Sequence, residues 1–214
     1  MPASAAALEA LHGRIAAYYS RSVARYGATP AGVDWPSARG QRIRFEQLLR
    51  VCDFDAPCTL LDVGCGYGAL LDYLRRVHPA ARISYVGVDL SPAMIDCARR
   101  RSRADPMARF ETGGADGARA DYAVASGIFN VRIDEPVALW RTFVAHTLQG
   151  IAASCSKAFA VNFLKPLPRG TDTVPELYRP RAVRWARFCE SQLGVRVELL
   201  EDYGLHEVTL LARH

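Results

Sequence analysis

The sequence predicts an α/β protein with a Rossmann-like, seven-stranded, mostly parallel sheet, helices on both faces, a C-terminal antiparallel edge hairpin and an N-terminal helical cap. Three observations lead to this fold class. After Pro57, short apolar segments alternate with helical segments, as in parallel sheets covered by helices. The first apolar segment runs into a glycine-rich turn. The last two strands are separated by only a short turn, so they are expected to pair antiparallel.

The elements of the core follow from hydrophobic periodicity and from the glycines and prolines that interrupt it. Strands are predicted at 58–63, 83–89, 108–112, 121–126, 158–164, 195–201 and 205–212. Helices are predicted between them, near 67–77, 92–103, 136–153 and 181–192. The segments "VRVELLEDYG" and "LHEVTLLAR" form the predicted hairpin.

Two helices are predicted ahead of the core. Residues 3–26 carry apolar side chains at helical spacing and end near Gly27, which suits a helix C-cap. The loop "GATPAGVDWPSARG" then leads to a second helix over residues 38–52. We expect a single domain of 214 residues, with a helical cap over 1–56 and a Rossmann-like core over 57–214.

Composition excludes several classes of protein. Half of the residues are hydrophobic and 23% are charged, which is ordinary for a globular domain. No apolar run approaches the roughly 20 residues of a membrane span, and the first residues lack the pattern of a secretory signal, so we expect a cytoplasmic protein without a membrane partner. The six cysteines are scattered, which predicts reduced thiols and no metal site.

The net charge of +5 comes mainly from arginine, since lysine occurs only at positions 157 and 165. Guanidinium groups bind carboxylates and phosphates in a bidentate manner, so an anionic substrate is one explanation of this excess. Biased codon usage is the other. The same charge would support salt-sensitive binding of RNA, which keeps RNA as an alternative substrate.

The stretch "TLLDVGCGYGALLDYL", residues 59–74, is typical of a nucleotide-binding strand, turn and helix. Gly64, Gly66 and Gly68 let the backbone turn tightly and let a ligand approach without a Cβ atom in the way. The next strand ends at Asp89, where a carboxylate can accept hydrogen bonds from both hydroxyls of a ribose. The glycine turn and Asp89 therefore both indicate adenosine recognition, and their separation in the sequence suits a single ligand.

Asp62 distinguishes enzymes that bind a dinucleotide from enzymes that bind a sulfonium cofactor, since both classes share the features above. The letters "GCGYGA" satisfy the loose dinucleotide-binding pattern. However, a carboxylate beside the turn would repel a pyrophosphate about 4 Å away by an order of a few kcal/mol at intermediate dielectric. It would attract a sulfonium and an α-ammonium group. The structural alternative is that Asp62 only caps the following helix.

"LLDVGCGYGALLDYL" and "VGVDLSPAMI" resemble the first two motifs of the class I S-adenosylmethionine-dependent methyltransferases. With "DYAVASGIFNVR" at the fourth strand, the resemblance extends over residues 57–164, and the terminal hairpin fits the family's reversed strand. The resemblance implies S-adenosyl-L-methionine as cofactor and S-adenosyl-L-homocysteine as product. These motifs are specific for fold and cofactor and carry no information on the acceptor or the oligomeric state.

The resemblance also implies residue roles. The glycine turn would pass beneath the methionine moiety, Asp62 would orient its ammonium group, and Asp89 would bind the ribose. The acidic residue that the family often places after the third strand is absent, so Asp116 or backbone atoms would contact the adenine. The predicted cofactor contacts are Asp62, Gly64, Cys65, Gly66, Gly68, Asp89, Leu90, Met94, Ser126, Gly127 and Ile128.

The loop after the fourth strand is similar to that of small-molecule methyltransferases of the quinone-methylating type, which carry an asparagine at the position of Asn130. We expect Asn130 to contact the acceptor or cofactor, with a turn-forming role as the alternative. Tyr18 or Tyr19 of the cap helix would close over the sulfonium, since only one of two consecutive helical residues easily faces the same site. His12 and His146 are further candidate bases, although a surface role suits His146 better.

Two variable regions supply further candidates. Arg44 or Gln41, just before the core, would reach the methionine carboxylate, unless they are solvated positions of an amphipathic helix. After the fifth strand, where the family builds acceptor pockets, Arg169, Tyr178 and Arg179 are expected to contact the substrate.

The sequence therefore predicts an S-adenosylmethionine-dependent methyltransferase acting on nitrogen, oxygen or carbon of a small molecule. In-line alignment of acceptor and methyl group would provide most of the rate acceleration. The alternatives are an RNA methyltransferase and a noncatalytic scaffold that keeps the cofactor pocket. The absence of nucleic-acid methyltransferase motifs after the fourth strand disfavours a nucleic-acid substrate.

Overall fold

The computed structural model describes residues 4–168, 170–171, 174 and 176–214. One seven-stranded sheet has the order β3-β2-β1-β4-β5-β7-β6. β7 runs antiparallel to β5 and β6, and the other neighbouring pairs are parallel. The predicted fold class is confirmed. The strands are β1 Cys58–Val63, β2 Ile83–Asp89, β3 Ala108–Thr112, β4 Ala120–Ala125, β5 Cys155–Leu164, β6 Arg196–Leu200 and β7 Glu207–Arg213.

Helices cover both faces of the sheet. They are α1 Ala5–Tyr26, α2 Ala38–Leu49, α3 Ala69–Val77, α4 Pro92–Arg101, α5 Val137–Ser154 and α6 Ala182–Leu193, with a short 3-10 helix at Pro30–Val33. Side chains of α1, α5 and α6 share one core cluster with the sheet, and those of α2, α3 and α4 pack in a second cluster. Within the described residues, no helix is both long and apolar enough to span a bilayer.

Several predicted boundaries differ by one to three residues, and two of these differences have a clear local reason. α3 begins at Ala69, two residues later than predicted, because Gly68 has a φ of 83° and leaves Tyr67 and Gly68 in the turn. β5 begins at Cys155, three residues earlier than predicted, because Cys155 already has extended dihedral angles directly after α5.

α1 lies across the carboxyl edge of the sheet, the edge at which the parallel strands end. Its N-terminus is capped by the Ser4 side chain, which accepts a hydrogen bond from the Ala7 amide. An ion pair joins Arg14 to Glu135, and the hydroxyls of Ser20 and Ser91 lie 2.8 Å apart. These contacts hold the helix over the edge where ligands of open α/β sheets bind.

Candidate active site

A cavity opens at the carboxyl edge of β1, β2 and β4, beneath α1 and the loop before α2. All but one of the cofactor contacts predicted in the core line this cavity. They are Asp62, Gly64, Cys65, Gly66, Asp89, Leu90, Met94, Ser126, Gly127 and Ile128. The exception is Gly68, which lies at the start of α3. The structure therefore gathers ten of the eleven predicted positions around one space.

The turn after β1 depends on its glycines. Gly64 and Gly66 have φ values of 73° and 54°, which disfavour residues with a Cβ atom. A Cβ atom on Gly64 would lie 2.2 Å from Cγ2 of Ile128. The amides of Gly64 and Cys65 both donate to the Val88 carbonyl, at 2.8 and 3.0 Å. The turn thus passes close to β2 and to the loop after β4, and it leaves backbone facing the cavity.

Asp62 lies on the cavity floor at the end of β1, where its side chain is almost entirely buried. The Tyr85 hydroxyl donates a hydrogen bond to the carboxylate. Burial raises the pKa of Asp62 to about 7, and the tyrosine hydrogen bond opposes that shift. The helix-capping alternative is not observed, because Gly68 occupies the N-cap of α3 without a side-chain hydrogen bond.

Asp89 ends β2 and remains partly exposed to the cavity. Its carboxylate accepts hydrogen bonds from the Gly66 amide at 2.9 Å and the Ser91 amide at 2.8 Å. Burial raises the pKa of Asp89 to about 6, and the two amides oppose the shift. The Asp89 carboxylate therefore holds the glycine turn in place, and the same carboxylate still faces the cavity.

The loop after β4 rests on a buried polar network that sequence reasoning missed. The Gly127 amide donates to Oδ1 of Asn162 at 2.7 Å, and Nδ2 of Asn162 donates to Glu207 at 2.7 Å. Nε of Arg44 lies 2.9 Å from both carboxylate oxygens of Glu207. The sequence does indicate such a network, because the apolar strands "CSKAFAVNFL" and "EVTLLAR" contain the polar residues Asn162 and Glu207. Polar side chains buried in a sheet need hydrogen-bond partners.

Arg44 lies away from the cavity lining. The guanidinium is buried, pairs with Glu207 and stacks 3.7 Å from the ring centroid of Trp35, and it does not line the cavity. This placement does not support a contact with the methionine carboxylate. Gln41, the alternative, does line the cavity and accepts a hydrogen bond from the Tyr67 hydroxyl at 3.1 Å.

Trp35 closes the cavity against the loop after β4. A Cβ atom on Gly127 would lie 2.2 Å from the Trp35 ring, so only glycine leaves room for it. Asn130 lies behind this contact, buried and outside the cavity lining. The two polar atoms of its side chain have no hydrogen-bond partner among the described residues. The predicted contact of Asn130 with acceptor or cofactor stays a prediction.

The two tyrosines of α1 point to different places, as expected of consecutive helical residues. Tyr19 lines the cavity, and burial raises the pKa of its hydroxyl. Tyr18 does not line it and hydrogen-bonds with Asp34; its pKa is raised to about 12, first by burial and then by that carboxylate. His12 also lines the cavity, and burial lowers its pKa, with His146 adding to the effect.

Two of the predicted substrate contacts, Tyr178 and Arg179, lie outside the cavity. Tyr178 is buried and accepts a hydrogen bond from the Trp185 indole at 3.3 Å, while its amide donates to the Asn130 carbonyl at 2.8 Å. Arg179 donates to the Lys165 carbonyl at 3.1 Å. Tyr178 and Arg179 line a second, open groove, and Arg169 lies outside the described residues.

The sheet order and the glycine turn after β1 are those of a Rossmann-like fold. A family model described as a methyltransferase domain matches residues 61–150. The Mycobacterium tuberculosis protein Rv1506c, which is named as a methyltransferase, is 34% identical over 165 residues, covering 77% of this chain and 98% of that protein. The chain therefore belongs to the class I S-adenosylmethionine-dependent methyltransferase family and is an enzyme of that class.

Two further proteins extend the comparison. The mitochondrial ubiquinone biosynthesis O-methyltransferase of Candida albicans is 31% identical over 78 residues, 36% of this chain and 22% of that protein. Magnesium protoporphyrin IX methyltransferase from Synechocystis PCC 6803, solved with bound S-adenosylmethionine, superposes with a TM-score of 0.66 at 15% identity, over 95% of this chain and 97% of that chain. This second likeness is one of fold.

Proposed function

We propose that the cavity binds S-adenosyl-L-methionine and that the enzyme transfers the methyl group to nitrogen, oxygen or carbon of a small molecule. The observation that carries this proposal is the pair Asp62 and Asp89, placed on either side of the glycine turn in one cavity. Buried carboxylates need cationic or hydrogen-bond-donating partners. An amino acid sulfonium joined to a ribose offers both kinds of group.

The lining residues fit this cofactor. Asp89 would accept hydrogen bonds from the ribose hydroxyls, and Asp62 would hold the ammonium group. The backbone at Gly64 and Gly66, where Cβ atoms are absent, would face the methionine moiety. Leu90 would pack on the adenine, with Met94 beneath it and Asp116 near its edge.

The bound cofactor supplies a methyl group that its sulfonium already activates, so this chain has to hold and align the reactants. Tyr19 and Trp35 wall the cavity from the side of the cap, and Ile128 walls it from the loop after β4. If the acceptor enters protonated, His12 is the candidate base, because its lowered pKa keeps it neutral near pH 7. Tyr19 keeps its proton because its pKa is raised.

Two observations support a small-molecule acceptor. α1 and the Trp35 loop cover the cavity, which suits a ligand that enters a cleft. The similarity to the ubiquinone biosynthesis O-methyltransferase covers part of the core. We propose that the acceptor is anionic because arginines surround Tyr178 and Arg179 in the second groove.

We also propose a cytoplasmic location, supported by the six cysteines. All six are free thiols in the structure. Unpaired thiols are usual in reducing compartments and unusual in secreted domains of this size.

The proposed reaction is tested with methyl-labelled S-adenosylmethionine and a fractionated cell extract. We expect label in a small-molecule fraction with the wild-type enzyme and with the control Asp96→Ala, which changes an exposed carboxylate on α4. The variant Asp89→Ala should transfer at least about tenfold less, because a hydrogen-bonding charge is lost. Label found only in RNA would contradict the small-molecule assignment. Failure to label any fraction, with cofactor binding intact, would favour the scaffold.

A further inference from the structure

The second groove lies at the carboxyl edge of the sheet, on the far side of the loop after β4. Val137 and Arg141 come from the first turns of α5, and Arg184 and Arg187 come from α6. The groove has a volume of about 770 Å³. A bridge between Val131 and Leu177 joins its wall to the loop that borders the cofactor cavity.

The groove is strongly basic. Six arginines line it: Arg132, Arg141, Arg179, Arg181, Arg184 and Arg187. None of the described residues that line it is acidic. In the described part of the chain, Arg141, Arg181 and Arg187 have no ion-pair partner, in contrast to Arg14, Arg75 and Arg101 elsewhere. Three guanidinium groups in one groove, without an ion-pair partner among the described residues, attract anions and are stabilised when an anion binds.

The wall of the groove also holds an orphan donor. Nη1 of Arg179 is fixed on the Lys165 carbonyl at 3.1 Å. Nε of the same guanidinium is buried and has no hydrogen-bond partner among the described atoms. A buried donor without a partner is costly, and a turn of the Arg179 guanidinium toward an anion in the groove would relieve that cost.

The groove is also partly apolar. Six large hydrophobic side chains are exposed in the described part of the chain, and three of them line this groove, namely Val137, Val174 and Val183. Exposed apolar side chains that gather in one place mark ligand or partner sites more often than isolated ones do. The ligand should therefore carry an apolar part beside its anionic group.

We propose that the groove binds an organic phosphate or pyrophosphate ester with an apolar group. Several guanidinium forks match the several oxygens of a phosphate or pyrophosphate, while one carboxylate would leave most of them unused. The groove borders the loop of the cofactor cavity, so the ester is the anionic end of the methyl acceptor. This last assignment rests on the proposed function, whereas the binding site itself does not.

The test is calorimetric titration of the full chain with inorganic phosphate, pyrophosphate and n-octyl phosphate below its micellar concentration. Pyrophosphate and octyl phosphate should each bind more tightly than phosphate. The double variant Arg184→Gln/Arg187→Gln should weaken both by at least about tenfold, because two charge-assisted contacts are lost. The control Arg100→Gln/Arg103→Gln removes two exposed arginines at the same spacing and should change binding less than about twofold.

Equal weakening in the two double variants would overturn the groove site, since it would show a general charge effect. Binding of phosphatidylglycerol vesicles or of an RNA oligonucleotide through Arg184 and Arg187, without binding of octyl phosphate, would also overturn it. Titration with S-adenosylhomocysteine separates the two proposals. If S-adenosylhomocysteine binds and pyrophosphate does not, only the groove assignment fails. If pyrophosphate binds and S-adenosylhomocysteine does not, the proposed cofactor site fails.

Discussion

Asp62 and Asp89 together determine the electrostatics of the cofactor cavity. Each carboxyl group is held in a site where ionisation is costly, so each pKa is raised, to about 7 and about 6. The hydrogen bonds from Tyr85, Gly66 and Ser91 recover only part of that cost. A cationic ligand with hydroxyl donors would compensate the remainder and lower both pKa values. Cofactor binding and ionisation of this pair should therefore be coupled.

The coupling predicts a pH dependence of cofactor affinity. Between pH 5.5 and 7.5 both carboxyl groups ionise in the free enzyme, and only the ionised form attracts the ammonium group. Affinity for S-adenosylhomocysteine should rise by roughly tenfold or more over this range, the effect of about one pKa unit. Calorimetry at the two pH values measures it, and Asp62→Asn should flatten the dependence. Equal affinity at both pH values in the wild-type enzyme would contradict the coupling.

The same two carboxyl groups make the stability of the ligand-free protein decrease as pH rises, whereas they make its affinity for the cofactor increase. The unfolded-state pKa of an aspartate is about 3.9, and the folded-state values are higher, so the ligand-free fold binds more protons between about pH 4 and 7. The contribution of this pair to the free energy of unfolding therefore decreases as pH rises through that window. Comparing Asp62→Asn with the wild-type enzyme in denaturant at pH 5 and 7.5 isolates it. A stability difference that is independent of pH would be inconsistent with this account.

Gly64 offers a prediction at a single backbone position. Gly64→Ala places a Cβ atom at a φ of 73° and 2.2 Å from Ile128, so it should lower the free energy of unfolding by roughly 1–3 kcal/mol. The control Gly13→Ala, in the middle of α1 with no atom within 4 Å of its Cβ position, should stabilise by about 0.5–1 kcal/mol. Denaturant unfolding measures both. Equal effects of the two substitutions would refute the steric explanation.

The buried ion pair between α2 and β7 connects the cap to the core. Glu207 on β7 pairs with Arg44, and through Asn162 on β5 it supports the amide of Gly127 in the loop that borders the cavity. The Trp35 ring lies between the Arg44 guanidinium and Gly127. We therefore expect the position of the Trp35 loop to depend on this pair.

Breaking the pair should be costly. Glu207→Ala leaves a buried guanidinium without its partner and should reduce the free energy of unfolding by about 3–5 kcal/mol. The control Glu198→Ala, on the exposed edge strand β6, removes a surface pair with Arg213 and should cost less than about 1 kcal/mol. Glu207→Gln, which keeps hydrogen-bonding atoms, should fall between them. Denaturant unfolding gives the order, and a reversed order would exclude a structural role for the pair.

Elements built from local patterns were predictable, and contacts between distant elements were not. The order and type of the strands and helices follow from periodicity, and most of the residues predicted around the cavity follow from turns that are contiguous in sequence. Arg44 shows the limit: its partner Glu207 is 163 residues away, so no local pattern links them. Similarly, the alternation of apolar and polar residues does not say which of Tyr18 and Tyr19 faces the cavity. The packing of α1 decides that, because Leu11 and Ile15 are buried in the core cluster and Tyr19 packs against the same cluster.

In the molecule as a whole, a cavity and a groove share the carboxyl edge of one sheet. The cofactor cavity lies over β1, β2 and β4, and the arginine-lined groove lies between the starts of α5 and α6. α1 crosses the same edge, and side-chain contacts of Arg14 and Ser20 attach it to the core. The division into a cap over 1–56 and a core over 57–214 stays a prediction, although both cap helices contribute to the core clusters.

We propose that the cavity at Asp62 and Asp89 holds the methyl donor. The most direct measurement is calorimetric titration of the wild-type chain, Asp89→Ala and Asp96→Ala with S-adenosylhomocysteine at pH 7.5. We predict one site per chain with micromolar affinity on the order of 8 kcal/mol of binding free energy, weakened at least about tenfold in Asp89→Ala and unchanged in Asp96→Ala. Absence of binding to the folded wild-type chain, or equal affinity in both variants, would contradict the claim.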